Sequence, residues 1–265
     1  MDLSSPEIKQ IFAAYAALPQ AYAVSAGGSA AAGTADGSSD IDIYVFVSED
    51  VPKEKRLEIA RKFAKIYDIG NDYYGPGDEY YAEKAGRPVD IMYFSKDWIE
   101  GIIHSVWEQH NPWNGYTTCF LYTLKNCIIY EDNQGWLAAI KKKLSQPYPA
   151  ELRRNIIRRN MLMMKEKPFA SFYEQTEKAA KRGDAVSINH RAAAFIASYF
   201  DALFAANSLL HPGEKRLSEY AEKHCKLLPE NFRRDISAAA AASPETVLQA
   251  MQSLYENLRK ICDCG

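Results

Sequence analysis

Strict alternation of apolar and polar positions is clearest over Asp40-Ile41-Asp42-Ile43-Tyr44-Val45-Phe46-Val47. It predicts a strand with Ile41, Ile43, Val45 and Val47 in a core and Asp40 and Asp42 together on the other face. A short buried strand is expected over Tyr22 to Ala26, running into Gly27-Gly28-Ser29. Glu79 to Glu83 and Arg87 to Phe94 read as two strands joined at Ala85-Gly86. In the second of these, Val89, Ile91 and Tyr93 share a face and Asp90 lies on the other. Cys127 to Tyr130 could add a strand. Helices are predicted after the Ser5-Pro6-Glu7 start, to about Ala17, and over about 53–67, 95–109 and 115–125.

The pattern changes at Pro147-Tyr148-Pro149. Beyond it, helical periodicity covers about 150–165, 169–182, 185–209, 214–226, 230–241 and 244–261, interrupted at Pro168, Gly183, His211-Pro212-Gly213, Pro229 and Pro244. The expected fold is therefore α/β (α+β): a mixed-sheet domain over 1–147, then an all-helical bundle over 148–265.

Composition narrows the function classes. Of 265 residues, 47% are hydrophobic and 25% charged, enough to build sizeable cores. The formal net charge of -2 lacks the basic excess that clamping a long nucleic acid requires. Five cysteines do not make a disulfide framework. The N-terminus does not read as a secretory signal and no apolar run reaches membrane-span length, so a cytoplasmic setting is expected.

The chemistry gathers on the two acid-bearing strands. Carboxylates side by side repel unless a cation lies between them, and oxygen-only ligands suit magnesium. If the strands pair, Asp90 joins Asp40 and Asp42, and three carboxylates can hold two ions. Two ions can polarise an α-phosphate, activate an attacking hydroxyl and steady departing pyrophosphate. Gly27, Gly28 and Ser29 follow a strand, where glycine lets backbone approach a phosphate. Ser39 is a further candidate nucleotide contact, although Thr34, Ser38 and Ser39 suit capping of their own loop better. Neither a G-x-x-x-x-G-K-[ST] nor a G-x-G-x-x-G motif occurs.

Gly28-Ser29, ten residues, Asp40-Ile41-Asp42 and then a distant Asp90 between apolar neighbours resembles the signature of the DNA polymerase β-like nucleotidyltransferase superfamily. The stretch from Gly28 to Asp42 is similar to bacterial members that modify small molecules, including aminoglycoside and lincosamide nucleotidyltransferases. The resemblance implies Asp40, Asp42 and Asp90 as metal ligands, Asp90 also as a candidate base, and Gly28 and Ser29 on the β- and γ-phosphates. It also implies a basic residue reaching the triphosphate from the helical domain, for which Lys215 and Arg216 are the candidates. The expected reaction moves the nucleoside monophosphate of an NTP, with ATP favoured, onto the hydroxyl of a small acceptor in a cleft between the domains. Nucleotidylation of a protein, as in toxin partners, a non-catalytic nucleotide-binding module, and a kinase are the rivals.

Other features read more plainly. Arg153, Arg154, Arg158 and Arg159 form a solvated or pairing stripe. The five histidines show no metal spacing. Tyr73, Tyr74, Tyr80 and Tyr81 suit stacking on a ligand or framework packing equally. Cys262-Asp263-Cys264 could bind metal adventitiously.

Overall fold

The computed structural model describes residues 5–28, 40–73 and 75–263. Ser29, Thr34, Ser38, Ser39, Tyr74 and Cys264 lie outside the described residues. The chain divides into two compact units, 1–103 with 123–146, and 104–122 with 147–265. Residues 104–122, which the sequence pattern placed with the first half, fold with the helical half. Among the described residues no helix is long and apolar enough to cross a membrane.

The first unit is built on a mixed six-stranded sheet. Its strands are β1 (Ala21–Ala26), β2 (Ile41–Val47), β3 (Tyr67–Asn71), β4 (Gly77–Ala82), β5 (Arg87–Ser95) and β6 (Ile128–Asp132). The order across the sheet is β3-β4-β5-β2-β1-β6. Among these described strands, β2 and β5 pair in parallel and the other neighbours pair antiparallel.

One face of the sheet carries Ile41, Ile43, Val45, Val89 and Ile91, all at most 1% exposed, in a core shared with α1 (Pro6–Ala16) and α2 (Lys53–Phe63). Helix α1 begins as its sequence dictates: the Ser5 side chain accepts from the Ile8 amide, with Pro6 and Glu7 in the first turn. The opposite face is aromatic. Phe46 stacks on Phe94, which stacks on Trp98 of α3 (Lys96–Ile102), and Trp136 of α5 (Trp136–Leu144) packs edge-on to Phe46. The helix between them in sequence, α4, is Cys119–Asn126.

A buried ion pair ties α2 to the sheet. Arg56 reaches Asp78, which also accepts from the Gly70 amide at 2.8 Å and from the Tyr93 hydroxyl at 2.7 Å. Asp78 is fully buried, so each of these donors offsets its desolvation.

The second unit is helical: α6 (Ala150–Met161), α7 (Phe172–Lys181), α8 (Ala185–Ala206), α9 (Leu217–His224), α10 (Phe232–Ala241) and α11 (Val247–Asp263). From Ser198 to Ala206 every residue of α8 is buried, which makes it the central helix of the core. Its Asp201 is a buried acid in an otherwise apolar run. It accepts from the Thr117 amide at 3.0 Å, the Thr117 hydroxyl at 2.6 Å and the Asn160 side chain at 2.9 Å. Thr118 in turn accepts from the His211 amide at 2.8 Å. These bonds pin the segment around 113–118 to α6 and α8, which is why it belongs to this unit.

Candidate active site

Parallel pairing brings the two acid-bearing strands side by side with Asp42 opposite Asp90 and Ile43 opposite Ile91. Adjacent strands lie about 4.8 Å apart, so the two side chains leave the same face as neighbours. Both are half-buried. On the far side of Asp90, Glu79 of β4 occupies the same level. Three carboxylates thus line up across three strands, with Glu79 exposed. The outer two are two strand spacings apart, about 10 Å, too far to share one small ion.

Asp40 is exposed and stands just before β2. Among the described residues no group of three or more His, Cys, Asp or Glu is placed to hold a metal. Of the three acids expected from the sequence, strand pairing sets Asp42 and Asp90 side by side, while Asp40 precedes β2.

The glycine turn abuts this pair. The Gly27 amide bonds the Asp42 carbonyl at 3.0 Å, extending the β1–β2 ladder. Gly28 then turns with φ +53°, and a Cβ on it would lie 1.8 Å from Asp42 Oδ2. A Cβ on Gly27 would lie 1.9 Å from the Tyr44 ring. Both positions demand glycine, one for conformation and contact, the other for contact alone. The Gly28 N–H donates to the Tyr44 hydroxyl at 3.3 Å. Burial pushes the Tyr44 phenol up to about 12, Asp42 adds to the rise, and the Gly28 amide opposes it. Tyr44 was not singled out in the sequence, because an aromatic at an alternating strand position reads as packing. Its distinguishing feature is its place two residues beyond Asp42 on the acid-bearing face.

The fit to a divalent cation can be judged on this geometry. Two in-register carboxylates match what magnesium takes from a protein when waters and phosphate oxygens supply the rest. Because Gly28 has no Cβ, the turn lies directly against the Asp42 carboxylate, where a side chain would collide with Oδ2. The pair fits one ion.

Lys215 and Arg216 lie in the second unit, exposed, in the turn before α9, where Arg216 adopts φ 54°. Tyr80 is buried in the framework, while Tyr73 and Tyr81 are exposed. Of the basic stripe, Arg159 bonds Asn114 at 2.7 Å and Arg154 and Arg158 are exposed. Cys119, Cys127 and Cys225 are free thiols.

Two family models match successive parts of the chain. Residues 7–110 match the family model of the nucleotidyltransferase domain, and residues 113–217 match that of a domain of unknown function (DUF4037). No curated protein matches. The chain is similar to a nucleotidyltransferase-like protein from Exiguobacterium sibiricum 255-15, at 11% identity and a TM-score of 0.43, over 97% of this chain and 73% of that one. It is also similar to spectinomycin adenyltransferase AAD(9) from Enterococcus faecialis, solved with ATP and spectinomycin, at 15% identity and a TM-score of 0.32, over 96% and 97%. A third likeness is to the STING-associated CdnE c-di-GMP synthase from Capnocytophaga granulosa, at 15% identity and a TM-score of 0.29, over 98% and 82%.

Proposed function

We propose that the nucleotidyltransferase domain carried by this chain moves a nucleoside monophosphate from an NTP, ATP by preference, to a hydroxyl of a small acceptor and releases pyrophosphate. The observation that carries this reading is the in-register pair Asp42 and Asp90 with the Gly28 turn against it. Asp42 and Asp90 are assigned as magnesium ligands, with Asp40 as the further ligand its place in the motif implies. When bound, the metal supplies charge neutralisation at the phosphates and acidifies a coordinated hydroxyl.

The remaining steps belong to the protein. Asp42 and Asp90 fix where the triphosphate lies, and this positioning lowers the barrier by holding the acceptor oxygen in line with the α-phosphorus. Asp90, flanked by Asp42 and Glu79, is assigned the acceptor hydroxyl proton as it leaves. Gly27 and Gly28 let the proposed phosphate-binding turn lie close against Tyr44 and Asp42, and Ser29 and Ser39 are further proposed contacts. A small acceptor agrees with a net charge of -2, which does not favour a polyanion.

Calorimetric titration with α,β-methylene ATP, in magnesium and again in EDTA, tests the reading. Binding is expected only with magnesium, and ATP with a panel of hydroxyl-bearing small molecules should yield pyrophosphate rather than ADP. Equal affinity in EDTA would overturn the assignment of the acids, and ADP as product would make the protein a kinase.

A further inference from the structure

Beside the glycine turn, on the acid-bearing strand, stands one side chain that neither the motif nor the reaction assigns. Tyr44 sits on β2 two residues beyond Asp42, opposite Ser25 of β1 on one side and Met92 of β5 on the other. It is 9% exposed. Its ring packs edge-on to Phe94 at 5.5 Å, and Phe94 is stacked on both Phe46 and Trp98. The ring is therefore held in one orientation by the aromatic face of the sheet. That orientation brings the ring against Gly27, where a Cβ would be 1.9 Å from its edge, and brings the hydroxyl to the Gly28 amide.

We propose that Tyr44 is a positioning residue that sets the phosphate-binding turn against Asp42 and Asp90, its ring carrying Gly27 and its hydroxyl holding the Gly28 N–H. The inference rests on the nucleotide-transfer reading above. Two contacts made by one rigid side chain, van der Waals support at Gly27 and a hydrogen bond at Gly28, lock the start of the turn where Gly28 closely approaches Asp42. A turn leaving β1 without this anchor keeps many conformations, and ordering it on ligand binding weakens affinity. Gly28 then serves the phosphate through its shape and its nearness to Asp42, while its own N–H stays on Tyr44.

Two measurements test this, on the full chain. In the unsubstituted protein, the Gly28 amide should exchange slowly with solvent deuterium, both without ligand and with magnesium and α,β-methylene ATP. In Tyr44→Phe, that protection should be lost and affinity for magnesium α,β-methylene ATP should fall roughly three- to ten-fold, the weight of one neutral hydrogen bond. The magnesium dependence of binding and the melting temperature should hold, which separates positioning from general loss of structure. Unprotected exchange at Gly28 in the unsubstituted protein would overturn the inference even if Tyr44→Phe failed to fold. Unchanged affinity in a folded Tyr44→Phe would do the same while leaving the transfer reading intact. Failure of the unsubstituted protein to bind the nucleotide would overturn that reading, and this inference with it.

Discussion

Asp42 and Asp90 occupy the same register position on two parallel strands that are 48 residues apart in sequence. Two like charges about 5 Å apart repel by roughly 3 kcal/mol at an effective dielectric of 20. Under the proposed function, a cation bound between them would use both charges. Asp42→Asn and Asp90→Asn should each lower pyrophosphate release at least about a hundred-fold. The double variant should lose little more than either single one, because the two act as a unit. Without ligand, neither single variant should melt lower than the unsubstituted protein, since removing one charge relieves repulsion. Near-normal turnover in either variant would take that residue out of the site.

Gly28 allows a sharper test of shape. With φ +53° and Asp42 Oδ2 at 1.8 Å from any added Cβ, Gly28→Ala meets both a conformational and a steric penalty. Gly86, with φ +64° and the Tyr81 hydroxyl 4.0 Å away, meets the conformational one alone. Gly86→Ala should lower stability by about 1 kcal/mol. Gly28→Ala should lower it further and abolish magnesium-dependent nucleotide binding, by pushing the Asp42 carboxylate aside. Equal stability losses and intact binding in both would show that the crowding at Gly28 relaxes freely.

Much of this arrangement is legible in the chain itself. The alternation at 40–47 reports β2 because β-branched and aromatic residues on a half-buried surface leave a period of two. The same rule places Val89, Ile91 and Tyr93 opposite Asp90. What alternation cannot report is pairing: whether β5 lies next to β2, and in which direction, depends on contacts far apart in sequence. The strand β3 is hidden because Tyr67–Asn71 is mostly exposed and follows a helical stretch without a break, so the helix predicted to 67 ends at Phe63. The helix α5 was not foreseen either, since Trp136–Leu144 is short and rich in lysine. Residues 104–122 carry no sign that they fold with the helical half, because the groups that bind them there are far off in sequence: Asp201 within α8, Arg159 and Asn160 of α6, and the His211 amide. A lone acid in Phe200-Asp201-Ala202-Leu203 was the available clue.

The Arg56–Asp78 pair predicts a large and asymmetric stability effect. The Arg56 side chain is 11% exposed and that of Asp78 is fully buried. Arg56→Met leaves a buried carboxylate held only by Gly70 and Tyr93, and should destabilise the sheet unit by about 3–5 kcal/mol. Adding Asp78→Asn removes the stranded charge while keeping an acceptor for Tyr93, so the double variant should be more stable than Arg56→Met alone. Urea denaturation measures both. A double variant no better than the single would assign the loss to the Arg56 guanidinium over the Tyr93 ring, 4.4 Å from its centroid.

Asp201 and His211 make opposite predictions about pH, and in the unsubstituted protein they conceal each other. Burial raises the Asp201 carboxyl to about 7, although Thr117 and Asn160 pull it down. Burial lowers the His211 imidazole to about 3; its Nδ1 accepts from the Gly213 amide at 3.2 Å, so the ring proton sits on Nε2. For Asp201 the native state holds a proton that the unfolded chain, with an ordinary carboxyl near 3.9, has released. Stability from this group is full below about pH 4 and is lost as pH rises to about 7. For His211 the unfolded chain holds the extra proton between about pH 3 and 6.5, so its contribution grows as pH rises through that window. From about pH 4 to 6.5 the two proton counts cancel. Asp201→Asn should therefore leave a helical unit whose stability rises with pH by about 1 kcal/mol per unit in that range, and His211→Gln one whose stability falls by about as much, each up to the limit of 1.4 kcal/mol set by one proton. Unfolding free energies at three pH values for the two variants and the unsubstituted protein measure both slopes. Slopes of the same sign in the two variants would show that one of these groups titrates in the folded protein as it does in water.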